Sequence, residues 1–137
     1  MTQEEKDLLL KDLCARLPYG VKLQHVKNTD SIVELYSIDL DDFYCKIQFY
    51  TYKGKVLIAS DEGKLLKPGG MLRYKPYLFP LSSMTEEQEK ECQKIKHSYY
   101  YDDDAFVLFD WYNKNHFDYR GLIPMGLANN ATNLNIY

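Results

Sequence analysis

The sequence predicts an α+β domain, with a mainly antiparallel sheet of four to five strands, an N-terminal helix and two C-terminal helices packed on it. Three observations carry this expectation. A capped amphipathic segment opens the chain, period-two alternation fills residues 21–59, and two more helical stretches follow a proline-rich segment. The connections between the alternating segments are too short for parallel crossovers, so the strands should form a meander. Residues 1–128 read as a single domain and 129–137 as a polar C-terminal tail that frays.

The first helix is marked by Thr2 and Glu5, spaced as a capping box, with acids in the first turn. Leu9, Leu13 and Leu17 form one stripe with Leu10 and Cys14 beside it, Arg16 lies near the end, and Pro18-Tyr19-Gly20 stops the helix. Val21, Leu23 and His25 then alternate with Lys22 and Gln24, and Asn28-Thr29-Asp30 supplies a turn. Ile32 to Leu40 is rich in β-branched and aromatic residues and ends at Asp39-Leu40-Asp41-Asp42. Next, Phe43, Cys45, Ile47 and Phe49 share one face, and Tyr44, Lys46, Gln48, Tyr50 and Tyr52 the other. Lys53-Gly54 reads as a hairpin turn into Val56–Ala59, and Asp61-Glu62-Gly63 closes that strand.

Prolines 68, 76 and 80 make residues 64–83 a loop, or at most a broken edge strand, packed on the body through Tyr77-Leu78-Phe79-Pro80-Leu81. Ser83 or Thr85 caps the second helix, with Glu86 or Gln88 at the matching third position. Its apolar stripe, Cys92, Ile95 and Tyr99, is thin, so this helix should be largely exposed. Asp102-Asp103-Asp104 supplies the next N-terminus, and Phe106 to His116 reads as a third helix lying on the core.

Composition bounds the function. The 137 residues are 45% hydrophobic and 27% charged, which excludes a disordered polar chain. A net charge of -3 argues against general attraction to nucleic acid or anionic membranes, although Lys64, Lys67, Arg73 and Lys75 offer a local basic stripe. No run approaches a membrane span and Met1-Thr2-Gln3-Glu4-Glu5-Lys6 is not a secretory leader, so a cytoplasmic setting is expected. Cys14, Cys45 and Cys92 are too widely spaced for a zinc knuckle and read as reduced, buried thiols.

No glycine-rich phosphate loop, nucleophile elbow or His-Glu-x-x-His helix is present. The densest polar constellation is Asp110, Asn113, Asn115, His116, Asp118 and Arg120, interleaved with Trp111, Tyr112, Phe117 and Tyr119. His116, at a helix end and near a carboxylate, would be held protonated. Paired with Asp118 or Asp110 it would serve a small hydrolase or nuclease-like enzyme, with Arg120 as an anion clamp. The plainer reading has His116 capping the third helix and Asp118 to Arg120 pinning the following loop. Asp102-Asp103-Asp104 would suit a divalent cation but are explained by a helix start, so neither metal nor cofactor is expected. His25 and His97 stand alone.

Tyrosine is the unusual residue, at 13 of 137. Exposed tyrosines give stiff contact area at low entropic cost, which makes Tyr44, Tyr50, Tyr52, Trp111 and Tyr119 candidate binding residues. The competing reading is a second buried face with hydroxyls at its rim. On balance the sequence points to a module that binds another protein through its tyrosines and residues 110–120.

Three segments carry a resemblance. The first is Leu13-Cys14-Ala15-Arg16-Leu17-Pro18-Tyr19-Gly20-Val21. The second is Lys75-Pro76-Tyr77-Leu78-Phe79-Pro80-Leu81-Ser82-Ser83-Met84-Thr85-Glu86-Glu87-Gln88. The third is Asp110-Trp111-Tyr112-Asn113-Lys114-Asn115-His116-Phe117-Asp118-Tyr119-Arg120-Gly121-Leu122-Ile123. They are similar to a family of small uncharacterised proteins encoded in gut bacteria and their phages or mobile elements. The resemblance implies a bacterial or phage intracellular setting and brings no catalytic residues. Asn129-Asn130-Ala131-Thr132 departs from that family's pattern, where a more acidic tail is expected.

Overall fold

Thr2 starts helix α1 (Gln3–Arg16) with the capping box anticipated above. The Glu5 N–H donates to Thr2 Oγ1 at 3.1 Å and the Thr2 N–H to Glu5 Oε2 at 2.8 Å. The structure, a computed structural model, describes residues 1–53, 55–102 and 105–137, for 99–102 the backbone alone. After a 3-10 turn (Leu17–Tyr19) the chain passes through Gly20 at φ +67, where a Cβ would stand 2.7 Å from Glu34 Oε1. Only glycine meets both demands.

A seven-stranded sheet follows, ordered β4-β3-β2-β1-β5-β6, with β7 also on β5. Its strands are β1 (Lys22–His25), β2 (Ile32–Asp39), β3 (Lys46–Lys53), β4 (Val56–Lys64), β5 (Tyr74–Pro80), β6 (Phe117–Asp118) and β7 (Asn129–Asn130). Antiparallel pairing runs from β4 to β5, while β6 and β7 lie parallel to β5. The α+β class holds, with a mixed sheet larger than the four to five strands expected.

The additional strands have a physical reason. β5 is a central strand, although Pro76 argued for a loop. Val26 N–H donates to the Arg73 carbonyl at 2.9 Å, a hydrogen-bonded position of the β1–β5 ladder. By alternation Pro76, opposite Leu23, is not such a position, and its ring nitrogen faces away from β1. No ladder bond is lost there. β4 likewise runs on through Asp61-Glu62-Gly63, which pair with Phe49, Gln48 and Ile47. Its reversal from β3 is as expected, Lys53 facing Val56, and Gly54 lies outside the described residues.

The main core joins Leu9 and Leu13 of α1 to Leu23, Val33, Leu35, Ile47, Phe49 and Leu78 of the sheet. Phe43, assigned to that face from alternation, is instead 76% exposed, because Cys45 at φ +54 breaks the pleat before β3 begins. Cys45 and Cys92 are buried and Cys14 half-buried, all three as free thiols.

Two later helices, α2 (Glu86–Asp102) and α3 (Ala105–Lys114), build a second, smaller core around Cys92, Trp111, Tyr112 and Phe117. Thr85 and Gln88 form the α2 capping box, with bonds of 2.9 and 3.1 Å, and Ser83 turns back to the Pro80 carbonyl. α3 packs on the β5–β6 side of the sheet through Trp111 and Tyr112, against Phe117 and Phe79, rather than on the main core, and leaves Phe106, Val107 and Phe109 exposed. Asp103 and Asp104 lie outside the described residues.

The segment expected to fray is packed. Asn129–Asn130 pair with Tyr77–Leu78, Ala131 is buried, and Tyr137 lays its ring on His116 and Phe79.

Candidate functional site

His116 follows α3 in the left-handed region, at φ +61, with its carbonyl accepting the Phe79 N–H at 2.8 Å. Its ring lies 3.6 Å from the Tyr137 ring at 13°, and its buried Nδ1 has no hydrogen-bond partner. The expectation of a protonated imidazole is reversed. Burial, then the Arg16 and Lys22 charges, push its pKa down from 6.5 to about 4.

That shift sets a pH dependence. Between pH 6.5 and 4 the unfolded chain binds a proton that the folded one refuses, so stability rises with pH across this window. The contribution, about 3 kcal/mol, is complete above pH 6.5 and lost as pH falls through the window toward 4. Urea midpoints measured from pH 7 to pH 4 should fall steeply for the wild type and more gently for His116→Phe. Parallel curves would refute this.

The other catalytic candidates do not join His116. Asp118 accepts the Leu122 and Ile123 N–H groups at 2.8 Å, one on each carboxylate oxygen, and so pins the turn after β6. Asp110 sits on the exposed side of α3. Arg120 Nη1 donates to Asp12 Oδ1 at 3.1 Å and to Tyr119 Oη at 2.8 Å. Among the described residues no hydrogen bond or ion pair connects His116 to either carboxylate, and the loop-pinning reading describes what is present.

What the region does assemble is a buried charge network. Asp12 and Arg16, one helical turn apart on α1, are both fully buried, with Arg16 Nε on Asp12 Oδ2 at 2.8 Å and Nη2 on Oδ1 at 3.0 Å. Arg16 Nη2 also donates to the Phe117 carbonyl at 2.7 Å. Tyr119 Oη donates on to Asn113 Oδ1 at 3.0 Å, and both guanidinium groups lie over the Tyr119 ring. The network ties α1 to α3, β6 and the Arg120 loop. Two guanidinium groups share one carboxylate, and Arg16 Nη1 is buried without a partner. Trp111 stacks on Phe117 and is buried, so it is not the exposed binding residue expected of it, whereas Tyr119 stacks on Tyr112 and stays half-buried.

A surface groove of about 1590 Å³ runs beside α2, lined by Met84, Glu89, Cys92, Lys96 and Tyr112 among others. Cys92 Sγ lies 3.7 Å from Tyr112 Oη at its floor, and burial, then the Cys92 contact, push the Tyr112 pKa up to about 12. None of the four catalytic candidates lines it.

A partly exposed tyrosine grouping lies on the sheet face turned away from α1. Tyr50 is opposite Glu34, and alternation with the buried Val33 and Leu35 puts Tyr36 on the same side as Glu34, just where a bulge falls between Leu35 and Ser37. Tyr36, 39% exposed, stacks on Tyr50 with centroids 4.5 Å apart. Beside them Tyr52 donates to Glu34 Oε2 at 3.0 Å, which raises its pKa, and Lys22 Nζ lies 5.3 Å from its ring. Tyr44 does not join them. It precedes the left-handed Cys45 and sits under Lys64, which is paired with Asp42 at 2.8 Å. Tyr50 and Tyr52 were therefore legible as a pair, and Tyr36, not among the expected binding residues, is marked as outward by the same alternation, between the buried Val33 and Leu35 on one side and the bulge on the other.

Lys64 is committed to Asp42, Lys75 sits on β5 opposite Gln24, and Lys67 and Arg73 lie near His25, whose pKa burial and these charges lower. Among the described residues no three His, Cys, Asp or Glu side chains converge to hold a metal ion, and no helix is long and apolar enough to cross a membrane. No protein-family model, curated protein or solved structure matches this chain.

Proposed function

We propose that this chain is a protein-interaction module that engages a protein partner through Tyr36, Tyr50 and Tyr52. The observation that carries this reading is the stacked, solvent-facing Tyr36–Tyr50 pair on a sheet rigidly backed by the main core. Such rings present apolar area and hydroxyls together and lose little freedom on binding. The net charge of -3 favours a protein over a polyanion. The setting that goes with it, on the strength of the resemblance above, is the cytoplasm of a bacterial or phage-infected cell.

The test is capture of a stoichiometric partner on immobilised protein. Tyr36→Ala/Tyr50→Ala should reduce capture at least tenfold, since aromatic hot spots carry about 2 kcal/mol or more. Circular dichroism and the melting temperature should stay near wild type. Undiminished capture would refute the assignment, as would a melting temperature lowered enough to account for the loss.

A further inference from the structure

β4 is an edge strand of nine residues, and its first seven are all exposed. Val56, Leu57 and Ile58 are 68%, 54% and 58% exposed, an apolar run on an open edge. The ladder with β3 assigns its outward groups. Leu65 N–H donates to the Cys45 carbonyl at 3.0 Å, so that position bonds inward. Alternation makes Asp61 and Ala59 inward as well, and leaves Ser60 and Glu62 facing out. The Glu62 N–H does turn away from β3, and the Asp61 carboxylate takes it at 2.8 Å.

A register shift then intervenes. Thr51 pairs with Ala59 but Tyr52 with Leu57, so Ile58 has no partner and Leu57 faces outward. The outward backbone positions Leu57 and Ser60 are therefore three residues apart, centred between Ile58 and Ala59, with Glu62, whose carboxylate meets Lys46 Nζ at 3.0 Å and stays half exposed, two residues beyond on β4 and Lys55 two residues beyond in the preceding turn. This arrangement is a palindrome. A strand turned antiparallel about that centre places Leu57 opposite Ser60 and Lys55 opposite Glu62, twice over.

We propose that a second copy of this chain occupies this edge, the two β4 strands pairing antiparallel across a twofold axis between Ile58 and Ala59. Charge complementarity and the matched outward positions select the occupant. A strand of arbitrary sequence would share the backbone bonds but not the two Lys55–Glu62 pairs. The pairing covers Val56, Leu57 and Ile58 and does not depend on the tyrosine-face reading, whose residues lie on β2 and β3.

The test is sedimentation equilibrium on the full chain from roughly 1 μM to 0.5 mM, with a monomer–dimer equilibrium expected. Ser60→Pro removes only an outward N–H and should raise the dimer Kd at least tenfold while the melting temperature holds. Lys55→Glu and Glu62→Lys place like charges opposite one another, and each alone should raise the Kd at least tenfold. An equimolar mixture of these two variants restores both pairs and should recover association as a heterodimer. A chain monomeric throughout overturns the proposal, as does a dimer that the charge variants and their mixture leave unchanged.

Discussion

Asp12→Ala is expected to cost about 3–5 kcal/mol of stability, the range for removing one partner of a buried ion pair. Asp12 is the only carboxylate that the Arg16 and Arg120 guanidinium groups contact among the described residues. Without it Arg16, fully buried, keeps one hydrogen bond, to the Phe117 carbonyl, and its charge is uncompensated. The loss is thus a desolvation penalty exposed by the substitution, and differs from the net worth of the pair. A cycle with Arg16→Met separates the two. The double variant should be less destabilised than the sum of the singles, because it removes the stranded charge with its partner. Urea denaturation of the four proteins checks this, and a loss below about 1 kcal/mol for Asp12→Ala would show that the network matters little.

Tyr137→Ala is expected to cost about 3–4 kcal/mol, in the range for truncating a packed aromatic. The residue as a whole is 37% exposed, yet its hydroxyl end is enclosed, and burial holds the hydroxyl pKa above the ordinary tyrosine range. That hydroxyl accepts the Lys22 N–H and donates to the Tyr77 carbonyl, both at 2.8 Å, bridging β1 and β5. Tyr137→Phe should lose only the bridge, about 1–2 kcal/mol. Removing the ring also uncovers His116, whose pKa should climb from about 4 toward 6.5. Histidine chemical shifts followed through a pH titration of Tyr137→Ala read this directly. An unmoved pKa would mean that the ring does not shield the imidazole.

The elements legible in the sequence are those whose reasons are local. The Thr2–Glu5 box, the Leu9–Leu13 stripe and the alternation through Ile47 and Phe49 each fall within one element, and the structure keeps them. Illegible features depend on a neighbour. Pro76 is tolerated because of which side of β5 it presents, and that is known only once β1 is in register. Asp61-Glu62-Gly63 looks like a strand end, yet an edge strand needs one partner and leaves polar side chains in water. Asp12 and Arg16 have the spacing of an exposed helix pair and are buried by residues far along the chain, Phe117 among them. His116 and Asp118 are close in sequence, but the chain turns each into a different environment.

The arrangement around β5 governs the order in which this chain can fold. Its partners Phe117 and Asn129 come from far downstream, and the Lys22–Tyr137 bond spans 115 residues. The β1–β4 meander has mostly nearby contacts and can form early, whereas the β5 side closes only after long loops have paid their entropy. During synthesis the exposed flank of β5 must therefore wait, solvated or chaperoned, until residues 117–137 have emerged.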